Sequence, residues 1–276
     1  MSKPIIIIGA GICGVSTALW LQRSGHDVIL MDKSKPGMGA SYGNAGLLAQ
    51  WAIVPITEPG LWGQIPRYLL DPMTPLFMKW RYLPKILPWL AEFLSNANAA
   101  STKATTDALI PLVLDSVGQH KALTNGTSAQ NWISESKFSY AYRDIKGFEK
   151  DAYGWACKEA VGLVPEVITG ANVQDHEPIC GPAIQCLAVL SGQGHILNPL
   201  GYITELCALF VDLGGRFIQT DVQNFERTGE KISAVLTDQG RFDCDRIVVT
   251  AGIWSKPLMA KLGLKIPLET ERGYHV

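Results

Sequence analysis

Three groups of residues in this 276-residue chain have types and spacings suited to chemistry. The first is Gly9-Ala10-Gly11-Ile12-Cys13-Gly14, a G-x-G-x-x-G that directly follows the apolar run "PIIII". In such a turn the first glycine permits a tight reversal and the second lets backbone approach a pyrophosphate. The third lets the following helix lie close on the strand, with its N-terminus facing the phosphate charge. Cys13 fits there as a small buried side chain and needs no redox role. Asp32, closing the next apolar run, suits a hydrogen bond to an unphosphorylated ribose, which disfavours NADP; Lys33 beside it reads as a solvated cation. The second group is "GASYGNAGLL" (39–48), where small residues can bring backbone amides up to a pyrophosphate or a flavin ring, Ser41, Asn44 and Gly46 being the useful ones. The third is Ala251-Gly252 after "RIVVT", small enough for backbone to pass close to a cofactor. A dinucleotide is implied. An NAD dehydrogenase usually runs from its second strand into a helix, and this chain runs into a glycine-rich loop, so FAD is favoured and NAD stays as the alternative.

These groups need elements to position them. "PIIIIGA" reads as a buried strand, "CGVSTALWLQRSG" as a helix closed by Gly25, and "DVILMD" as a second strand, which together make a βαβ unit. A long glycine-rich loop follows, and 59–136 is mainly helical in pattern. "FSYAYRD" (138–144) alternates as a strand, and "GFEKDAYGWACKEAVGL" reads as a helix. "PLGYITELCALFVDLGG" is a helix ended by two glycines and is followed by the strand "RFIQTDVQNFERT". "ISAVLTD" comes after a turn at "TGEK", and in "GRFDCDRIVVTAG" one strand feeds another. Lys265–Leu268 reads as an extended apolar entry, "ERGY" as a turn, and His275-Val276 as the start of another strand.

Bulk properties narrow the class. With 47% hydrophobic residues the chain supports one large or two ordinary cores, and 24 basic against 25 acidic residues give no hint of a nucleic-acid partner. The six cysteines, at 13, 157, 180, 186, 207 and 244, form no C-x-x-C pair and no metal-like spacing, as expected of reduced thiols in a cytoplasmic setting. No window reaches the roughly 18–20 apolar residues that span a bilayer. The Trp-rich, proline-cut stretch 59–94 reads as a helical cap over a buried surface, with a patch resting on a membrane interface as the alternative.

Taken in order, "IIIIGAGICGVSTALWLQRSGHDVILMD", "ASYGNAG", "HEP" (176–178), "LNPLGYITELCALFVDLGGRF", "VVTAGIWS" and "PLETERGYHV" span nearly the whole chain. In these residues the sequence resembles the D-amino-acid oxidase superfamily of FAD-dependent amine and amino-acid oxidoreductases, nearest to its D-amino-acid dehydrogenase small-subunit members. The resemblance implies an α/β fold: a Rossmann-like FAD-binding domain plus an α+β substrate domain with a mixed or antiparallel sheet. The FAD domain is expected in two parts, 1–58 and 195–256, around a substrate or cap domain at 59–194, with 257–276 starting a return to the substrate domain. Relatives continue past "RGY", so the chain is expected to be incomplete at its C-terminus, and an inactive truncated remnant is a further alternative.

By the same resemblance Gly9, Ala10, Gly11, Cys13 and Gly14, with Ile12 among them, hold the FAD pyrophosphate, and Asp32 with Lys33 holds the adenosine side. Ala40, Ser41, Asn44, Ala45, Gly46 and Leu47 line the diphosphate and flavin. Val222 gives backbone to the adenine, and Ala251, Gly252 and Trp254 lie along the cofactor; core packing is the alternative for Val222, and interdomain packing for Trp254. The implied reaction is oxidative deamination of a D-amino acid or related small amine, and it needs mainly orientation, water exclusion and a neutral amine. An arginine is expected on the substrate carboxylate. Tyr274 and His275, next to Arg272, are substrate-pocket candidates, as are Tyr140 and Tyr142, whereas His195 reads as a turn histidine. No metal is expected. The family's respiratory members imply a cytoplasmic protein resting on the inner face of the membrane and passing electrons to a respiratory acceptor.

Overall fold

The computed structural model describes residues 3–63 and 80–270, and these divide into two compact units. Unit 1 comprises 1–47, 119–134 and 195–276; unit 2 comprises 48–118 and 135–194. The stretch 119–134, inside the span read as the cap, therefore belongs to the unit that holds the glycine fingerprint.

Unit 1 is built on a parallel sheet ordered β11-β1-β2-β7, with β1 at Ile5–Ile8, β2 at Val28–Asp32, β7 at Arg216–Gln219 and β11 at Arg246–Val249. All four isoleucines of β1 are buried, as a strand covered on both faces requires. Ile6, Ile8, Ile29 and Met31 share a core with Val222, Val235 and Leu258. Val222 and Val235 come from an antiparallel sheet, β10-β9-β8, with β8 at Val222–Thr228, β9 at Lys231–Thr237 and β10 at Gly240–Asp243.

Helix α1, Ile12–Arg23, buries Gly14, Val15, Ala18 and Leu19, one face at helical spacing. Ser24 caps its end and Gly25, at φ +86°, supplies the left-handed residue that turns the chain. Cys13 lies off that face and is exposed, so the expectation of a buried thiol is corrected: Gly14, not Cys13, meets the strand.

The segment read as one strand at 216–228 is two. β7 joins the parallel sheet and β8 the antiparallel one, and at the break Thr220 donates its N–H to the Asp32 carbonyl at 2.8 Å. A long helix at Pro199–Asp212 packs on α1 and buries Tyr202, Ile203, Leu206, Cys207 and Phe210. Asn198 caps it, accepting the Gly201 N–H at 3.0 Å.

Unit 2 carries most of a sheet ordered β3-β6-β4, with β5 antiparallel to β6; β3 is Leu47–Leu48, β4 Ile133–Tyr142, β5 Glu166–Thr169 and β6 Cys186–Ile196. β4 begins five residues earlier than the alternation at 138–144 suggests, and β5 and β6 had no counterpart in the sequence reading. The helix read at 147–163 is two, Ile145–Lys150 and Ala152–Glu159, broken at Asp151. Phe138, Tyr140 and Tyr142 alternate onto one face of β4, where Trp51 stacks on Phe138 at 3.6 Å and Tyr140 meets Trp155 edge-on at 5.1 Å. Helices at Leu83–Ser95 and Ala99–Val113 belong to the same unit, the second tied down by Thr102 Oγ1 donating to the Thr57 carbonyl at 2.7 Å. Residues 265–270 form no strand, and Arg272, Tyr274 and His275 lie outside the described residues.

Among the described residues no helix is long and apolar enough to cross a membrane, no cluster of His, Cys, Asp or Glu suits a metal ion, and all six cysteines are free thiols.

Candidate functional site

In unit 1 the turn between β1 and α1 is packed to the limit that glycine allows. Gly9 sits at φ +111°, and a Cβ there would lie 2.6 Å from the Thr250 carbonyl oxygen. A Cβ on Gly14 would lie 1.7 Å from the Gly9 carbonyl oxygen. Thr250, which the sequence reading passed over, clasps the turn: its Oγ1 donates to the Ile8 and Gly9 carbonyls, 3.0 Å from each. Gly11 differs, since an added Cβ would meet only Ser41 Oγ, at 3.3 Å. The open approach is therefore over Gly11, which as N-cap of α1 has no side chain of its own to cover the helix mouth. That is the cradle a pyrophosphate requires, and the residues fit FAD at this position.

Asp32 was expected to bind ribose, and the structure gives its carboxylate two further tasks. Oδ2 accepts the Ala10 N–H at 2.7 Å and Oδ1 the Ser34 N–H at 2.8 Å, so the acid fixes both the glycine turn and the start of the loop. Each oxygen keeps a further lone pair for a hydroxyl.

The loop 33–46 returns over the turn. Gly37 donates to the Ala10 carbonyl at 2.9 Å, and buried Ser41 accepts the Ile12 N–H at 3.2 Å. Asn44 holds the loop's shape from within: Nδ2 donates to the Ser41 carbonyl at 3.0 Å and Oδ1 accepts the Gly46 N–H at 2.8 Å. Gly46, at φ +69°, is pinned against β6, where Ile196 N–H donates to its carbonyl at 2.7 Å and His195 Nε2 lies close by. His195 thus belongs to a strand, not to a turn. Ala40, Ala45 and Leu47 are exposed along the loop. Lys33 is exposed and stands over the Trp254 ring at 4.0 Å, the edge of that ring lying beside Gly39. Ala251 and Gly252 form the turn that leads into Trp254, which is half-exposed. Val222 is buried in the core and registered with Thr237.

Unit 2 has its own concavity, of about 390 Å³, and the candidates Tyr140 and Tyr142 line it. Trp155 Nε1 donates to the Tyr142 hydroxyl at 3.0 Å, and burial pushes the Tyr140 phenol up to about 12. Three charged residues that the sequence reading missed, Glu58, Asp151 and Lys158, line the same space. Lys158 is only 8% exposed, its Nζ lying 5.3 Å from the Tyr140 ring centre and 5.0 Å from that of Trp155. Burial lowers its pKa below the ordinary lysine value. Glu58 rests against Gly154, and its pKa is raised by burial, with Lys158 opposing and Asp151 adding to the rise. The signal for Lys158 was present: it follows Trp155 by three positions on a helix, hence on the same face.

The family described as FAD dependent oxidoreductase (DAO) matches residues 4–276. A D-amino-acid oxidase from Bradyrhizobium diazoefficiens is 36% identical over 277 residues, covering 99% of this chain and 66% of that protein. A D-amino acid dehydrogenase from Azorhizobium caulinodans is 27% identical, again over 99% of this chain and 66% of its own length. Among solved structures, glycine oxidase from Bacillus cereus superposes with a TM-score of 0.60 at 20% identity, over 94% of this chain and 58% of the other. The chain thus spans just under two thirds of the curated relatives it matches.

Proposed function

The chain belongs to the FAD dependent oxidoreductase family, and from that premise we propose that it serves the oxidative deamination of a small D-amino acid. The observation that carries this reading is the 36% identity to a D-amino-acid oxidase along 99% of the chain. Family membership sets the NAD alternative aside, and the glycine cradle of unit 1 is the proposed FAD seat. Bound FAD supplies an acceptor for the hydride from the carbon that bears the amine.

The chain's own residues bind and orient. Gly9 to Gly14 bring backbone and the α1 N-terminus to the pyrophosphate, and Asp32 takes ribose while it holds the turn. Ala40, Ser41 and the Asn44-braced backbone through Leu47 run along the diphosphate and flavin. Val222 serves the adenine, and Ala251, Gly252 and Trp254 flank the cofactor. Tyr140 and Tyr142 belong to the amino-acid pocket. Exposed Tyr82, Leu87 and Trp89 support a peripheral seat on the inner membrane face, next to a respiratory acceptor.

The test is direct. Purified protein should show a flavin spectrum and, with a panel of D-amino acids, either reduce an artificial dye or consume oxygen; vesicle co-sedimentation in the same preparation reads the membrane contact. Flavin-loaded protein that gives neither signal with any D-amino acid overturns the proposal.

A further inference from the structure

We propose that the cavity of unit 2 seats a free α-amino acid, with its carboxylate on Lys158 Nζ and its ammonium on the Glu58 carboxylate. Three observations lead there. Lys158 is buried with two aromatic faces about its ammonium, and among the described residues no carboxylate stands within ion-pair distance of it. Glu58 borders the same space and is half-withdrawn from water. Both ions line a space of about 390 Å³, ample for a small amino acid, with Trp51 and Trp155 as an apolar wall.

Two opposite charges at one cavity, Lys158 buried and Glu58 half-withdrawn from water, are costly to keep apart, because no direct contact between them offsets the desolvation. An α-amino acid carries the complementary pair across one carbon, so one molecule satisfies both. A simple carboxylate would instead meet Glu58 and Asp151 unpaired, and a simple amine would meet Lys158. The pattern therefore selects the zwitterion. Lys158 then takes the part that an arginine was expected to play, with a single ammonium in place of a planar fork. The inference rests on the proposed function for the choice of probe but not for the charge pattern.

Calorimetric titration of the flavin-loaded protein decides it, with D-leucine, isopentylamine (the same molecule without its carboxylate) and isocaproate (without its amine) as probes. D-leucine should bind at least about tenfold more tightly than either analogue, the worth of one charge-assisted contact. In K158Q its advantage over isopentylamine should vanish, in E58Q its advantage over isocaproate should vanish, and K158R should restore part of the first. Thermal unfolding of each variant checks folding, and K158M serves where K158Q fails to fold. Unchanged D-leucine affinity in folded K158Q and E58Q overturns the site, as does the absence of D-leucine binding to the unaltered protein. The outcomes separate cleanly. Binding without turnover refutes the oxidation and leaves the site standing, whereas turnover with an unchanged KM in K158Q refutes the site and leaves the oxidation.

Discussion

Gly11 and Gly14 lie three residues apart, yet the structure predicts that adding one methyl group to each does opposite things. At Gly14 the new carbon would sit 1.7 Å from the Gly9 carbonyl oxygen and 2.7 Å from Thr250 Oγ1, well inside the 3.0 Å below which something must move. The first neighbour is backbone, so α1 must lift from β1, and G14A should cost the flavin-free protein about 3 kcal/mol or more, at the upper end of overpacking. At Gly11 the backbone angle of φ −77° suits alanine, and the sole neighbour, Ser41 Oγ at 3.3 Å, can rotate away. G11A should therefore cost less than about 1 kcal/mol, the usual difference between glycine and alanine at a helix N-cap. Its methyl group projects where the pyrophosphate must approach. Losing one or two charge-assisted hydrogen bonds there, at about 1.5–3 kcal/mol each, weakens FAD at least tenfold. Urea unfolding of the flavin-free protein reads the first quantity and quenching of FAD fluorescence on titration reads the second. G11A that binds FAD as tightly as the unaltered protein, or G14A that is equally stable without flavin, would refute the assignment of the cradle.

Two other predictions concern groups with a structural task. In D32N one of the two carboxylate oxygens that accept the Ala10 and Ser34 N–H groups becomes an NH2 facing a donor, so urea unfolding of the flavin-free protein should show a loss of about 1–3 kcal/mol; unchanged stability would leave Asp32 with the cofactor alone. Burial lowers the pKa of His120, whose Nδ1 is 2.9 Å from the Tyr202 hydroxyl. As pH falls through about 6.5 the unfolded chain takes up a proton that the folded chain refuses, so stability drops by up to about 1.4 kcal/mol per pH unit until the folded group also titrates. H120N should flatten that slope in unfolding curves taken between about pH 7.5 and 5.5, and an unaltered slope would place the titration elsewhere.

What could be read in the sequence was what local periodicity encodes. β1, α1 and β2 follow from an unbroken isoleucine run, a helical spacing and a closing glycine, all within the first 32 residues. β6 was missed because its Gly192-Gln193-Gly194 breaks the alternation, and its partners lie far along the chain. The run 216–228 looks continuous because both halves favour strand; only the choice of neighbours divides it at Thr220. Side-chain duties were harder still. Asn44 and Asp32 have the residue types that bind cofactors, and their partners in the fold are backbone N–H and carbonyl groups brought near by the loop's return. A lysine between two helix turns normally reads as surface, and the aromatic face that encloses Lys158 comes partly from a strand before it in sequence.

Thr250 clasps Ile8 and Gly9, and β1 lies between β2 and β11. On the ribosome β1 and β2 emerge together, whereas β11 follows only after residues 33–245 have been made. At about 5–20 residues per second that wait is on the order of 10–40 s. Throughout it one edge of the central strand stays open, with its apolar faces only partly covered, and the nascent chain is exposed to strand pairing with its neighbours. Slowing synthesis or withholding a holdase should therefore lower the yield of folded protein far more than its final stability would suggest.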